Sequence, residues 1–284
     1  MKLFKATALL LLQFSIASAT PITIPTNGLV AHYPLNGNMI DVVGGFNGSK
    51  YGSTPIGATN ATFNGRDDYM EFLMANHLIE NKSSFSITYW ILRDRNSQRV
   101  NSFLSKRNQC GMEESFDMRG RNTINFENLS PNNHQSIKAN LVDRWQLITF
   151  VKDGNNYKIY RDYYEEDSGT FSNASFTDGD LSFSNSPCIT SQDGTSRFKG
   201  KMDEILIYDR PLNRLDIRLI FTATNPRAQK DPNQPIKALQ QEKTSILTGD
   251  TGNNTSNKAD NTVSPEDIVI NKDGTWRFKT KDDK

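Results

Sequence analysis

Residues 198–217 read FKGKMDEILIYDRPLNRLDI, and this stretch decides the fold. Ile205-Leu206-Ile207-Tyr208 is β-branched and aromatic, which predicts a strand, and Pro211, which has no N–H to give to a ladder, stops it. A helix start follows at once. Asn213 stands at the N-cap position, Asp216 three residues on can reach back as in a capping box, and Leu212 and Ile217 are spaced as a hydrophobic staple. The stretch therefore predicts a strand, a stop and one short capped helix running to about Phe221, a combination that closes a domain.

Upstream, residues 84–91 give the cleanest alternation in the chain. Phe85, Ile87, Tyr89 and Ile91 share one face, while Ser86, Thr88 and Trp90 share the other. Residues 145–151 are nearly all apolar, as expected of a strand covered on both faces; Asp153-Gly154-Asn155-Asn156 then turns the chain and residues 157–160 return as its partner. Further short strands are predicted at 101–105, 115–118, 123–126, 136–139 and 180–184. Short strands between Asn-, Gly- and Ser-rich turns predict an all-β antiparallel sandwich rather than a parallel α/β sheet. Trp90 and Trp145 lie inside strand patterns and are expected to pack in the core.

These segments, in this order, resemble the landmarks of laminin-G-like, concanavalin A-like jelly-roll domains. The terminal strand pattern of that family, Phe-x-Gly-x-Ile-Asp-Asp/Glu-(apolar)-x-(apolar)-Tyr-x-Arg-x-Leu, is met by Phe198, Gly200, Met202, Asp203, Glu204, Ile205, Ile207, Tyr208, Arg210 and Leu212. Residues 28–38 (GLVAHYPLNGN) are similar to its opening GLVAYYPFNGN, residues 63–72 (FNGRDDYMEF) to its FDGVDDYIEI, and residues 85–91 to its FSISAWV strand. One departure stands out. Where the family usually has a tight Asp-Gly turn, this chain carries Arg161-Asp162-Tyr163-Tyr164-Glu165-Glu166-Asp167, expected as an unusual loop. The resemblance covers residues 28–221 and implies an all-β, concanavalin A-like jelly-roll sandwich with one short C-terminal helix. It also implies a structural calcium, with Asp41, the loop around Asn47 and Asp203 at the corresponding positions.

The ends of the chain read differently. Lys2 and Lys5, an apolar run over 6–16 and Ala17-Ser18-Ala19 predict a secretory signal peptide over residues 1–19, too short to cross a bilayer as a helix. The expected product is secreted or otherwise extracytoplasmic, with no integral membrane span. In that setting the two cysteines, Cys110 and Cys188, are expected to form one disulfide. The jelly-roll domain is bounded at 20–225. Residues 226–264 are poor in large apolar side chains and are expected to be a flexible linker, and 265–284 place apolar runs around Lys272-Asp273-Gly274 as a short β-hairpin.

Lys and Arg (33) nearly balance Asp and Glu (32), so no footprint for nucleic acid is present; the local cluster Arg93, Arg95, Arg99, Lys106 and Arg107 is expected as a solvated loop. Catalytic carboxylates of the glucanase type would have to alternate on one strand. Glu113-Glu114-Ser115-Phe116-Asp117 comes nearest, with serine where a middle acid is needed, and Asp203-Glu204 are adjacent, which predicts opposite faces. His32, His77 and His134 show no metal-binding spacing. Binding a sugar would need exposed rings and hydrogen-bonding groups on loops. Tyr163 and Tyr164, Tyr51 and the loop around Asn133 are the candidates. The function expected is a non-catalytic, lectin-like module for a glycan or glycoprotein; the alternatives are an envelope adhesion protein that uses the sandwich for protein contacts, and a glycoside hydrolase.

Overall fold

The computed structural model describes residues 22–96, 100–107, 110, 115–120, 124–128, 133–137, 144–170, 175–177, 179–189, 195–226, 268–270 and 276–278. The expected signal peptide, nearly all of the expected linker, and Glu113 and Glu114 lie outside the described residues.

The strands are β1 (Leu29–Tyr33), β2 (Ser49–Tyr51), β3 (Ala61–Asn64), β4 (Tyr69–Glu71), β5 (Ser84–Arg93), β6 (Val100–Arg107), β7 (Phe116–Gly120), β8 (Ile124–Asn128) and β9 (Asn133–Ile137). They continue with β10 (Gln146–Asp153), β11 (Asn156–Arg161), β12 (Tyr164–Thr170), β13 (Asp180–Phe183), β14 (Thr195–Arg197) and β15 (Lys199–Tyr208). Helix α1 (Arg214–Thr224) follows, and β16 (Ile268–Ile270) pairs with β17 (Trp276–Phe278) as a separate antiparallel ribbon. One sheet runs β1-β15-β5-β10-β11-β12 with β3 also on β15; the other runs β2-β4-β13-β6-β7-β8-β9 with β14 on β6. Among the described residues every strand pairing is antiparallel except that of β14 with β6.

β15, the heart of the deciding stretch, is the spine of the first sheet. It lies against β5 on one side, and β3 and then β1 share its other side. Phe85, Ile87, Tyr89 and Ile91 enter the core between the sheets, where they join Phe103, Phe116, Phe126, Phe150 and Phe183. Trp90 points the other way, into a second apolar cluster with Leu147, Val151, Tyr160, Leu206 and Tyr208 that α1 covers with Ile217 and Ile220. Each such aromatic or aliphatic side chain contributes about 1.5–3 kcal/mol by burial.

Asn213 caps α1 by accepting from the N–H groups of Leu215 and Asp216 at 2.9 Å each, and Asp216 returns the bond to the N–H of Asn213, completing the capping box. The helix runs three residues beyond Phe221. The reason is a buried hydrogen bond: the indole N–H of Trp90 donates to Thr224 Oγ1 at 2.8 Å, which holds the last turn down.

On the second sheet, Cys110 and Cys188 are joined in a disulfide with Cα atoms 4.8 Å apart. Beneath it Asp117, fully buried, accepts from Ser102 Oγ and Ser186 Oγ and faces the guanidinium of Arg107 at 3.6 Å.

Candidate functional site

The 161–167 segment, expected as a loop, is a two-residue turn followed by the edge strand β12. Asp162 adopts φ +59, which an aspartate tolerates better than most residues and which lets the chain reverse at once. Its N–H donates to Leu147 O, and its carboxylate accepts from Leu147 N at 3.1 Å and from Arg144 Nη2 at 3.4 Å. The turn is thereby tied to the start of β10. Charged Glu165, Glu166 and Asp167 then decorate the sheet edge, where further strand pairing is disfavoured.

The two tyrosines at this turn part company. Tyr163 folds back under α1, edge-on to Phe221 at 5.2 Å between centroids, and is half-buried there. Tyr164 is 53% exposed. It lines a groove of about 750 Å³ between β11–β12 and the start of α1, with Lys158, Tyr160, Glu165, Asn213 and Arg214. The guanidinium of Arg214 lies 5.5 Å from the centroid of the Tyr164 ring. Lys158 Nζ donates to Glu165 Oε2 at 2.9 Å, and the Tyr160 hydroxyl donates to the same oxygen at 3.3 Å.

Burial pulls the Glu165 carboxyl upward, but the bonds from Lys158 outweigh it and hold the group below its ordinary value; that same bond pushes Lys158 up. Glu165 is therefore a fixed anionic acceptor. A half-exposed ring beside charged donors, amide and carboxylate is the equipment for holding a polyol: a face for C–H groups and partners for hydroxyls.

A laminin G model of the concanavalin A-like lectin/glucanases superfamily matches residues 64–218. The chain belongs to this superfamily. No curated protein matches the sequence. Among solved structures, the chain is similar to domain 4 of AbnA, a GH43 extracellular arabinanase from Geobacillus stearothermophilus, in complex with arabinotriose. Identity there is 20%, the TM-score 0.50, and the likeness covers 67% of this chain and 96% of that one. It is also similar to the receptor binding domain of botulinum neurotoxin C/D mosaic serotype (13% identity, TM-score 0.52, 68% of this chain and 51% of that one). A third is Trypanosoma rangeli sialidase in complex with 2,3-difluorosialic acid (12% identity, TM-score 0.55, 72% of this chain and 34% of that one). These likenesses show the superfamily's fold.

The other residues expected to bind do not join the groove. Tyr51, on β2 of the other sheet, stacks on Tyr69 with centroids 4.4 Å apart, and the Arg197 guanidinium lies 4.2 Å from the Tyr69 ring. A hydrogen bond to Glu71 pushes the Tyr51 hydroxyl up. Asn133 opens β9 at the far edge of that sheet, and its side chain lies outside the described part of the structure.

The calcium ligands implied for the superfamily do not fit a cation here. The Asp41 carboxylate accepts from the main-chain N–H groups of His32, Val43, Gly44 and Phe46, at 2.8–3.1 Å. Asn47 Oδ1 is taken by the N–H of Asp41 at 3.0 Å. Asp203 is buried, accepts from the N–H of Glu204, and is pushed up to about 8 by burial first and by the Glu204 charge second. These oxygens organise main chain. Among the described residues no group of three or more His, Cys, Asp and Glu could hold a metal ion.

Asp203 and Glu204 also correct the expectation of opposite faces. Asp203 pairs with Trp90 and Leu206 with Thr88, so Glu204 and Ile205 together oppose Tyr89 in a bulge, with Glu204 at φ +49. Asp203 shares the outer face of Trp90, and Glu204 meets His32, which stands between the core residues Ala31 and Tyr33.

Lys158 and Tyr160 were legible as part of the strand that returns after the Asp153-Gly154 turn, and Asn213 as the cap. Nothing local in the sequence sets Arg214 beside Tyr164.

Proposed function

We propose that this chain is an exported, non-catalytic carbohydrate-binding module whose ligand seats in the groove between β11–β12 and the start of α1. The observation that carries this is Tyr164: a ring 53% exposed, at a turn fixed by Asp162, beside a guanidinium, an amide and a bonded Lys158–Glu165 pair. Superfamily membership and the arabinotriose complex of one structural neighbour support the ligand class. Asp117, the described acid of the one sequence that approaches glucanase spacing, is fully buried beneath the disulfide segment, which favours binding over hydrolysis.

A glycan array tests this. The chain should retain a defined set of oligosaccharides, Tyr164→Ala should lose them, and no reducing sugar should be released. An array without any retained glycan would defeat the proposal.

A second role, contact with a protein surface of the cell envelope, is favoured by one feature. Ile40, Val42 and Val43 are 50%, 60% and 47% exposed on the loop that Asp41 holds rigid. Substituting these three by serine separates the roles, since glycan retention should not change.

A further inference from the structure

Two members of the basic cluster noted in the sequence do not stand on a solvated loop. Lys106 is fully buried, donating to Glu80 Oε1 at 2.8 Å and Gly179 O at 2.6 Å. Arg107, the last residue of β6, is buried as well, and its Nη1 donates to Cys188 Sγ at 3.1 Å. The guanidinium is thus aimed at one sulfur of the disulfide whose other half, Cys110, lies just beyond β6.

The two halves of this bond differ. Cys110 stands on an exposed turn, whereas Cys188 is fully buried. Cys188 is also held in place: its N–H donates to Ser186 Oγ at 3.2 Å, and the N–H of Ile189 donates to Ser186 O at 3.0 Å. Asp117 lies 3.6 Å from the same Nη1 of Arg107, farther than the sulfur, and its oxygens accept from Ser186 Oγ at 2.6 Å and Ser102 Oγ at 3.2 Å.

Such an asymmetry gives thiol–disulfide exchange a direction. The reaction needs one sulfur that an incoming thiolate can reach and another that departs with the electron pair. A leaving thiol of lower pKa departs faster, and a neighbouring arginine lowers that pKa. Cys110 meets the first requirement and Cys188 the second. The bond from Arg107 to sulfur becomes charge-assisted on both sides as negative charge develops there, so it strengthens as the disulfide opens.

We propose that Cys110 is a thiol-modification site, at which an external thiolate opens the disulfide and leaves Cys188 as a thiolate held by Arg107. In the first step the incoming sulfur bonds to Cys110 Sγ, the Cys110–Cys188 bond breaks, and its electron pair goes to Cys188. In the second, another thiolate attacks the outer sulfur of this mixed disulfide, giving an external disulfide and a Cys110 thiolate. The two external thiols have then supplied the two electrons that the protein gains. Before that second step, attack by Cys188 on Cys110 expels the first thiol and restores the original bond, and the hold of Ser186 on Cys188 keeps that sulfur at hand. The Tyr164 groove is built on the other sheet, so ligand retention there and opening here can fail separately.

The test is a timed reaction of the full chain with reduced glutathione and, in parallel, with a single-cysteine form of a Cys-x-x-Cys oxidoreductase. Samples are stopped with acid, desalted, unfolded, labelled with N-ethylmaleimide and mapped by peptide mass. At early times the incoming thiol should be found on Cys110 and the maleimide on Cys188. The rate should not change over urea concentrations that leave the chain folded. An adduct in either arm supports the site, and the arm that gives it distinguishes a small thiol from a protein one. Arg107→Gln should slow opening at least about threefold, and Arg107→Lys, which keeps a cation, should recover part of the loss. If Arg107→Gln does not fold, the position of the adduct and the urea response of the wild type still decide. No adduct in either arm, adducts on Cys188 or shared equally, a rate that climbs with urea as unfolding does, or unchanged opening in a folded Arg107→Gln chain would overturn the assignment.

Discussion

Nε2 of His32 lies 2.6 Å from Oε2 of Glu204, a residue held at φ +49 by the bulge in β15. The bulge puts one residue too many between Asp203 and Leu206 and so turns two successive carboxylates to the outer face. His32 engages one of them. The other, Asp203, is buried beside it and stays protonated up to about 8, against an ordinary value of 3.8.

Asp203 therefore makes stability fall with rising pH. The unfolded chain releases this proton near 3.8 while the folded chain keeps it to about 8, so the contribution of Asp203 is complete below about 4, declines from 4 to 8 and is level above. Asp203→Asn keeps an oxygen for the Glu204 N–H and removes the titration. Its melting temperature should exceed that of the wild type at pH 8, with the gap closing towards pH 4. A gap that does not vary with pH would contradict this.

Reducing the Cys110–Cys188 bond should destabilise the sandwich. The bond closes a loop with a sequence separation of 78, and cross-links of this kind typically contribute about 2–4 kcal/mol. Urea unfolding of the Cys110→Ser, Cys188→Ser chain should show a loss in that range; equal midpoints would mean that packing around Asp117 holds the segment unaided.

Thr224→Val should cost about 1–3 kcal/mol, the penalty for a buried donor left without an acceptor, because Trp90 Nε1 would lose its partner. Thr224→Ser should recover most of it. Chemical denaturation followed by tryptophan fluorescence measures both.

Asp41→Ala should cost on the order of 3 kcal/mol, since four main-chain N–H groups lose a charged acceptor. Chelator should leave the wild-type melting temperature unchanged. A fall with chelator would show that these oxygens serve a cation after all.

The fold was legible because its determinants are local. Period-two alternation placed Phe85, Ile87, Tyr89 and Ile91 on the core face, and the capping signals placed the start of α1 at Asn213. The site was legible only in part. Tyr164 was in view as an exposed ring, but its separation from Tyr163 depends on the left-handed conformation of Asp162 and its bonds to Leu147, fifteen residues back. The surroundings of the expected calcium ligands were hidden for a related reason. A sequence shows that Asp41 has oxygens, but not that four nearby N–H groups will take them.

The most direct measurement is amide chemical-shift mapping by NMR while the chain is titrated with the oligosaccharide best retained on the array. Shifts should concentrate in residues 158–165 and 211–214, around Tyr164 and Arg214, and vanish in Tyr164→Ala. Shifts centred instead on Tyr51 and Tyr69, or on the loop of Ile40 and Val42, would contradict the assignment of the groove.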